Sequence, residues 1–376
     1  MLFTFLEYSR GKYEIAETHL KNGIRLLGEG APGIEKSIVR SFVALVTQRS
    51  LFGTQPDDED DDVNNIDFVL LLNPRKDVLL PGAVFAGPED AKYALDIILR
   101  RIARAEQLVQ RTRTHRLLNP QQYHFNLEKE QAELSDLLSS WHSTYLRTLP
   151  KIRTSPTTPD SLAFGTHSAA PISRETLSYT LLLLHHTLSL IKVSALLSPS
   201  ESIYRTQTPL FLHIVSHAAA LYAAYRLAAA VPNNVNLHES VSESGFIAPL
   251  YYTGLKCRVG HVRRYACKYL REIPHKEGVW DSVLAANVVK SVMCLEEEQD
   301  KGGEECKLGG DETIDLSKVP VLKKGEEKPS ALDVGKWFRS VRVEMLREEG
   351  TRARVVCERV RSDGGIELVE FMVDNK

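Results

Sequence analysis

The stretch from Phe246 to Gln299 constrains the fold more than any other part of the chain. Apolar Leu255, Val262, Ala266, Tyr269 and Ile273 recur at steps of three, four or seven, the spacing that lines up one helix face. Pro274 ends that segment, because proline lacks an N–H and pushes its predecessor out of the helical region. Trp280-Asp281-Ser282 then opens a second helix. Asp281 or Ser282 can accept from the free N–H groups of its first turn, and Leu284, Val288, Val292 and Leu295 supply its apolar face. The first segment carries Arg258, Arg263, Arg264 and Arg271, and the second helix ends in Glu296-Glu297-Glu298. Three glutamates at a helix C-terminus oppose the macrodipole and repel one another, so cations have to lie near. Arg258, Arg263 and Arg264 can supply them through charge-assisted bonds, which predicts an Arg–Glu cluster clamping the two helices together. The alternative is an anion or effector site built on the same three arginines.

The order of landmarks in this stretch also carries a resemblance. Pro249-Leu250-Tyr251-Tyr252, Lys256-Cys257-Arg258, Arg263-Arg264, Glu277-Gly278-Val279-Trp280-Asp281-Ser282 and Glu296-Glu297 follow one another. That series resembles the C-terminal part of the fungal-specific regulatory domain, which accompanies the six-cysteine zinc-cluster DNA-binding module in fungal transcription factors. Near the start, Tyr8-Ser9-Arg10-Gly11-Lys12-Tyr13, Ala16, His19-Leu20, Gly23 and Leu26-Leu27 resemble the family's early helix pair. The similar segments cover most of the chain, with inserts between them, and the DNA-binding module itself is not among them. Cys257, Cys267, Cys294, Cys306 and Cys357 are scattered, without a C-x-x-C pair, so they cannot form that cluster. The resemblance implies a regulator in the nucleus, or shared between nucleus and cytosol. It would act through effector response, a dimer partner or protein partners of the transcription machinery. No cofactor is expected in this chain, and zinc only if a six-cysteine module lies upstream.

Charge bears on the same question. A net charge of -2 and a pI near 6.7 set up no global positive field, so direct specific DNA binding and attraction to anionic membranes are not expected. An odd count of 5 cysteines in 376 residues points to a reducing compartment. The opening LFTFLEY is apolar but lacks a basic leader region, and reads as a helix entered partway, consistent with further sequence upstream. Leu177–Leu197 and Leu210–Val231 are the richest apolar stretches. His185, His186, Lys192, His213, His217 and Arg226 interrupt them, so both read as buried helices, apolar nearly all round.

Along the chain, Gly11–Gly28 predicts a helix with Tyr13, Ala16, Leu20, Ile24 and Leu27 on one stripe. Gly11, Tyr13, Ala16, Leu20 and Gly23 match the spacing of a tetratricopeptide helix, but no copy follows at a period of about 34 residues, so no array is expected. Ile34–Phe52 is a second amphipathic segment. Pro56–Asp62 is an acidic run that reads as a solvated loop, without the spaced ligands and glycine of a calcium loop. Asp90–Gln110 has Ala94, Ile98, Ile102, Ala105 and Leu108 on its apolar face, and Arg100, Arg101, Arg104, Arg111 and Arg113 on a face expected to be solvated. Gln131–Leu149 is anchored by Leu134, Leu137, Leu138, Trp141 and Tyr145. Thr154–Ser173 is a Pro/Ser/Thr-rich loop, and Asp300–Leu332 reads as a disordered insert. After it Val341, Val343 and Met345, then Ala353, Val355, Cys357 and Arg359, then Ile366, Leu368 and Glu370 alternate, with Asp363-Gly364-Gly365 as a hairpin turn.

Chemistry-bearing patterns are few. His213 and His217 stand four apart on a helix, a spacing that can ligate metal. Ile214 sits where a metalloprotease H-E-x-x-H needs its glutamate, so packing histidines and no metal are expected. His185 and His186 are adjacent and point to different faces. No G-x-S-x-G, P-loop or G-x-G-x-x-G nominates a catalytic centre, and the chain is not expected to be an enzyme. The expected architecture is mainly α: an irregular multi-helix bundle over residues 1–331, with loops at about 54–88, 151–175 and 299–331. A small C-terminal antiparallel β-sheet over residues 332–376 packs on it. Pro249, Tyr251, Cys257, Arg258, Arg263, Arg264, Gly278, Trp280, Asp281, Glu296 and Glu297 are the expected structural residues of the resemblance. The functional expectation is a regulatory domain that does not touch DNA; a helical interaction scaffold or small-molecule sensor is the alternative.

Overall fold

The computed structural model describes residues 2–28, 35–51, 84–114, 120–153, 174–229, 245–272, 274–301, 314, 316, 320–321, 336–345, 352–361 and 363–374. The fold is mainly α with a small C-terminal antiparallel sheet. The helices are α1 (Leu2–Ser9), α2 (Tyr13–Gly28), α3 (Lys36–Leu51), α4 (Pro88–Thr114), α5 (Pro120–Arg153) and α6 (Arg174–Ala195), then α7 (Ile203–Thr206), α8 (Thr208–Ala229), α9 (Ile247–Lys256), α10 (Gly260–Glu272) and α11 (Ser282–Lys301). Two short strands, β1 (Lys276–Glu277) and β2 (Trp280–Asp281), form a ladder before α11. β3 (Ser340–Met345), β4 (Arg352–Val360) and β5 (Ile366–Asp374) close the chain as a sheet of order β3-β4-β5.

Two apolar cores meet on α6. Leu184, Leu188 and Ile191 belong to the first, with α1–α3, α8–α11 and the sheet; Tyr179, Leu182 and Val193 belong to the second, with α4 and α5. A helix apolar nearly all round has to be covered on both sides, and α6 is. Its adjacent histidines divide the same way. His185 Nε2 lies 2.7 Å from Gly245 O, and His186 Nε2 lies 3.1 Å from Leu138 O in α5. α8 does not share this all-round burial: His213 is exposed and His217 half-buried, so these two are not core histidines.

The second core is arranged around Trp141, whose Nε1 donates to Ala91 O at 2.9 Å while its ring stacks on Tyr145 and His186. Ala94, Ile98, Ile102 and Ala105 are buried as expected, but Leu108 is exposed and Val109 takes its place. The basic face of α4 is not simply solvated. Arg100 is buried, and Arg101 bonds Glu130 at 2.9 and 2.7 Å and Glu133 at 3.1 Å, so this face holds α4 to α5.

The first segment of the opening stretch is two helices rather than one. α9 stops at Cys257, whose backbone is extended (φ -62, ψ 135), and α10 starts at Gly260. The sheet shares the first core through Val343, Ala353, Val355, Cys357 and Val373, so it is a layer of that core. In β5 the alternation points outward. Ile366 and Leu368 are exposed, and register places Val369, Phe371 and Val373 opposite the buried Cys357, Val355 and Ala353.

The acidic run Pro56–Asp62 and the loop Thr154–Ser173 lie outside the described residues. So does most of Asp300–Leu332, yet part of that insert is docked: Leu316 is buried, Tyr269 Oη donates to its carbonyl at 2.9 Å, and Lys268 Nζ donates to Ile314 O at 2.8 Å. Among the described residues no helix is long and apolar enough to cross a membrane.

Acid should destabilise this arrangement early. Burial lowers the pKa of His185, and pushes His186 down from 6.5 to about 4, helped by His142 and His213. Below about pH 6.5 the unfolded chain takes up protons that the folded chain refuses. Stability is therefore whole above that pH and is lost as pH falls toward about 4. His186 alone accounts for a loss on the order of 3 kcal/mol at the acid end. Urea unfolding should show stability already falling between about pH 6.5 and 5, above the usual carboxylate range. A profile flat over that interval would contradict this account.

Candidate functional site, a charged junction around a buried helix

Helix α9 is ten residues long, and nine of them, from Ile247 to Lys256, are buried. A helix leaves unpaired N–H groups at one end and carbonyls at the other, and water cannot reach them here. Charged side chains take its place.

At the N-terminal end stands Glu277. Its carboxylate accepts from Gly245 N and Phe246 N at 3.0 Å each and from Ile247 N at 3.2 Å; His275 Nε2 lies 2.6 Å from Oε1. Pro249, in the first turn, has no N–H to satisfy, and its carbonyl accepts from Thr253 Oγ1 at 2.8 Å. A carboxylate here also complements the positive end of the macrodipole.

Guanidinium groups serve the C-terminal end. Arg263 Nε donates to Gly254 O at 2.6 Å, and Arg258 Nη1 to Leu255 O at 3.4 Å. Each has a carboxylate behind it. Arg258 Nη2 lies 2.5 Å from Glu201 Oε2, and Arg263 Nη2 lies 2.6 Å from Glu296 Oε2, with both side chains of the second pair almost fully buried. Arg263 Nη2 and Glu296 Oε2 are close but not aligned as a hydrogen bond, so Coulomb attraction carries that contact. Lys256 Nζ also reaches Glu201 Oε2, at 2.9 Å, and donates to Phe338 O and Arg339 O at 3.1 and 2.7 Å. Burial lowers the Lys256 pKa, and Glu201 opposes that shift.

The segment leading into β3 closes this cluster. Phe338 N donates to Glu296 Oε1 at 3.0 Å, and the Trp337 ring lies 4.5 Å from the Arg258 guanidinium and 5.6 Å from that of Arg263. Tyr204 covers Arg258 from another side, at 5.3 Å. Cys257 beside it is fully buried, and burial pushes its thiol up to about 11, which suits an inert packing residue.

The Glu277–Ser282 motif ties α9 to α3 and α11. Gly278 turns between β1 and β2 at φ 56, where a side chain would be strained and would run into Gln48. Trp280 Nε1 donates to Gln48 O at 3.2 Å, and its ring meets Tyr251 edge-on at 5.1 Å. Asp281, rather than Ser282, caps α11: Oδ1 accepts from Val283 N at 3.0 Å and Leu284 N at 3.1 Å. Ser282 Oγ instead accepts from His275 N at 3.0 Å. At Gly254 the helices α9 and α11 come so close that an added Cβ would lie 2.5 Å from Val289 Cγ1.

The Arg–Glu clamp expected from the sequence is therefore present, with its members sorted. Arg263 pairs with Glu296 in the interior, and Arg264 with Glu297 at 3.3 Å on the surface, where an ion pair is worth about 0–1 kcal/mol. Arg258 turns to Glu201 instead. The side chain of Glu298 lies outside the described residues. Sequence reasoning missed Glu201, Gln48 and Trp337, which come from distant segments and stand in no periodic relation to the arginines. Glu277 was legible as part of a motif but not as a cap. Arg258 and Arg263 each face a carboxylate of another segment, Glu201 and Glu296, so the arrangement holds elements together, although Arg263 Nη2 and Glu296 Oε2 make no aligned hydrogen bond.

No family model, curated protein or solved structure matches the chain.

Replacing Arg263 by Met should cost about 3–5 kcal/mol in urea unfolding, because Glu296 is left buried and unpaired. The double change Arg263→Met with Glu296→Leu should cost clearly less than the sum of the single changes. Additive costs would contradict a coupled buried pair.

Proposed function

We propose that the chain is the regulatory, non-DNA-contacting domain of a fungal zinc-cluster-type transcription factor, acting through effector or protein–protein contacts. The observation that carries this reading is where the resembling segments go. Tyr8, Ala16 and Leu20 of the early helix pair share one core with Leu250, Tyr251, Cys257 and Trp280 of the later stretch. Segments widely separated in sequence are thus parts of one unit, and their shared residue types follow from packing and capping within it. The family's DNA contact comes from its cysteine module; here the cysteines are scattered and the net charge is -2. Zinc belongs to the reading only through a module upstream. The arginines held by Glu201 and Glu296 are structural in this reading, so an effector would have to bind elsewhere.

Tethering the chain to a foreign DNA-binding domain tests the proposal. Reporter output should change several-fold relative to that domain alone, while the isolated chain gives no sequence-selective shift of DNA that survives raised salt. An unchanged reporter, or a salt-resistant selective shift by the chain alone, would overturn it.

A further inference from the structure

His213 and His217 are separated by one helical turn of α8 and share a face. Their ring centroids lie 4.1 Å apart. The hydrogen bonds around them decide which nitrogen carries the proton. His217 Nδ1 is 2.9 Å from His213 O, and a carbonyl oxygen can only accept, so the proton is on His217 Nδ1. Thr187 of α6 spends its hydroxyl proton on Leu183 O at 2.8 Å. Across the 3.2 Å to His213 Nδ1 the hydroxyl therefore accepts, and that nitrogen carries its ring's proton. A neutral imidazole has one N–H, so both Nε2 atoms keep their lone pairs. Neither Nε2 makes a hydrogen bond among the described residues.

We propose that His213 and His217 form a two-point site for a borderline divalent transition-metal cation, with the two Nε2 atoms as donors and water completing the shell. Metal-binding histidines characteristically donate the other ring N–H to an oxygen that fixes their orientation, and both rings here do so. Two imidazoles without a carboxylate suit Cu²⁺, Ni²⁺ or Zn²⁺ rather than the hard oxygen-seeking Ca²⁺ or Mg²⁺. Among the described residues no group of three or more His, Cys, Asp or Glu side chains gathers around a common point, so the site is open rather than a closed structural centre. Among the described residues, His142 of α5 and His186 of α6, stacked on each other at 5.1 Å, are titratable neighbours of His213.

Calorimetric titration of the untagged full chain at pH 7 with CuCl₂, NiCl₂ and ZnCl₂ tests the site. One saturable equivalent is expected, tightest for Cu²⁺. His213→Ala and His217→Ala should each weaken it by about tenfold or more, and Thr187→Val, which frees the ring without removing a ligand, by about tenfold. His19→Ala, at an exposed histidine elsewhere, should leave it unchanged. Circular dichroism would verify that each variant folds. Absence of saturable binding, or binding that survives the double change at His213 and His217, would overturn the proposal.

Discussion

Burying a helix whole means supplying, from inside the protein, what water gives to a helix end elsewhere. For α9 the supply is charged at both ends: the Glu277 carboxylate on the first amides, the Arg258 and Arg263 guanidiniums on the last carbonyls. That choice has consequences. Charges taken out of water cost several kcal/mol each unless paired and hydrogen-bonded, so each cap needs a partner of its own. Glu201 and Glu296 are those partners for the arginines, and Glu296 in turn fixes the amide of Phe338. Glu296, unfavourable by its own helix's dipole, becomes intelligible as the far half of α9's cap, while Glu297 meets Arg264 at the surface.

The same junction draws the rest of the chain together. Through Lys256 and Phe338 it anchors the strand segment that begins the sheet. Through Gln48 and Trp280 it holds α3, and through Gly245 and His185 it reaches α6. A further buried cation extends the connection to the other core. Lys192 pairs with Glu106 of α4 at 2.9 Å and lies 4.7 Å from the Tyr252 ring of α9. The two apolar cores are thus joined by polar contacts as well as by the shared helix, and polar contacts fix register where apolar ones tolerate sliding.

Helical periodicity was enough to find the cores. The stripes Ala16-Leu20-Ile24 and Leu134-Leu138-Trp141 are buried as their spacing implies, because packing and period agree there. Boundaries were less legible. α5 runs well past its expected ends at both sides, since polar residues in helix do not interrupt it. The break at Cys257 was invisible because Leu255, Val262 and Ala266 keep helical spacing across it; the turn is held by side chains, Arg258 above all, that periodicity does not weigh. In β5 both parities contain apolar residues, so alternation alone could not choose the buried face, and the ladder with β4 decided it. The arginine clamp could be anticipated from charge and helix polarity. Glu201 could not, because nothing near it in sequence marks it as a partner.

Native-state hydrogen exchange across the junction tests the central claim most directly. If charged caps hold α9 and the strand segment as one unit, the amides of Phe246, Ile247, Arg263 and Phe338 exchange only through the opening that unfolds the whole first core, with one common free energy. Exchange of Phe338 and the β4 amides at a markedly lower free energy, with α9 still protected, would mean that the sheet is merely appended and the account is wrong.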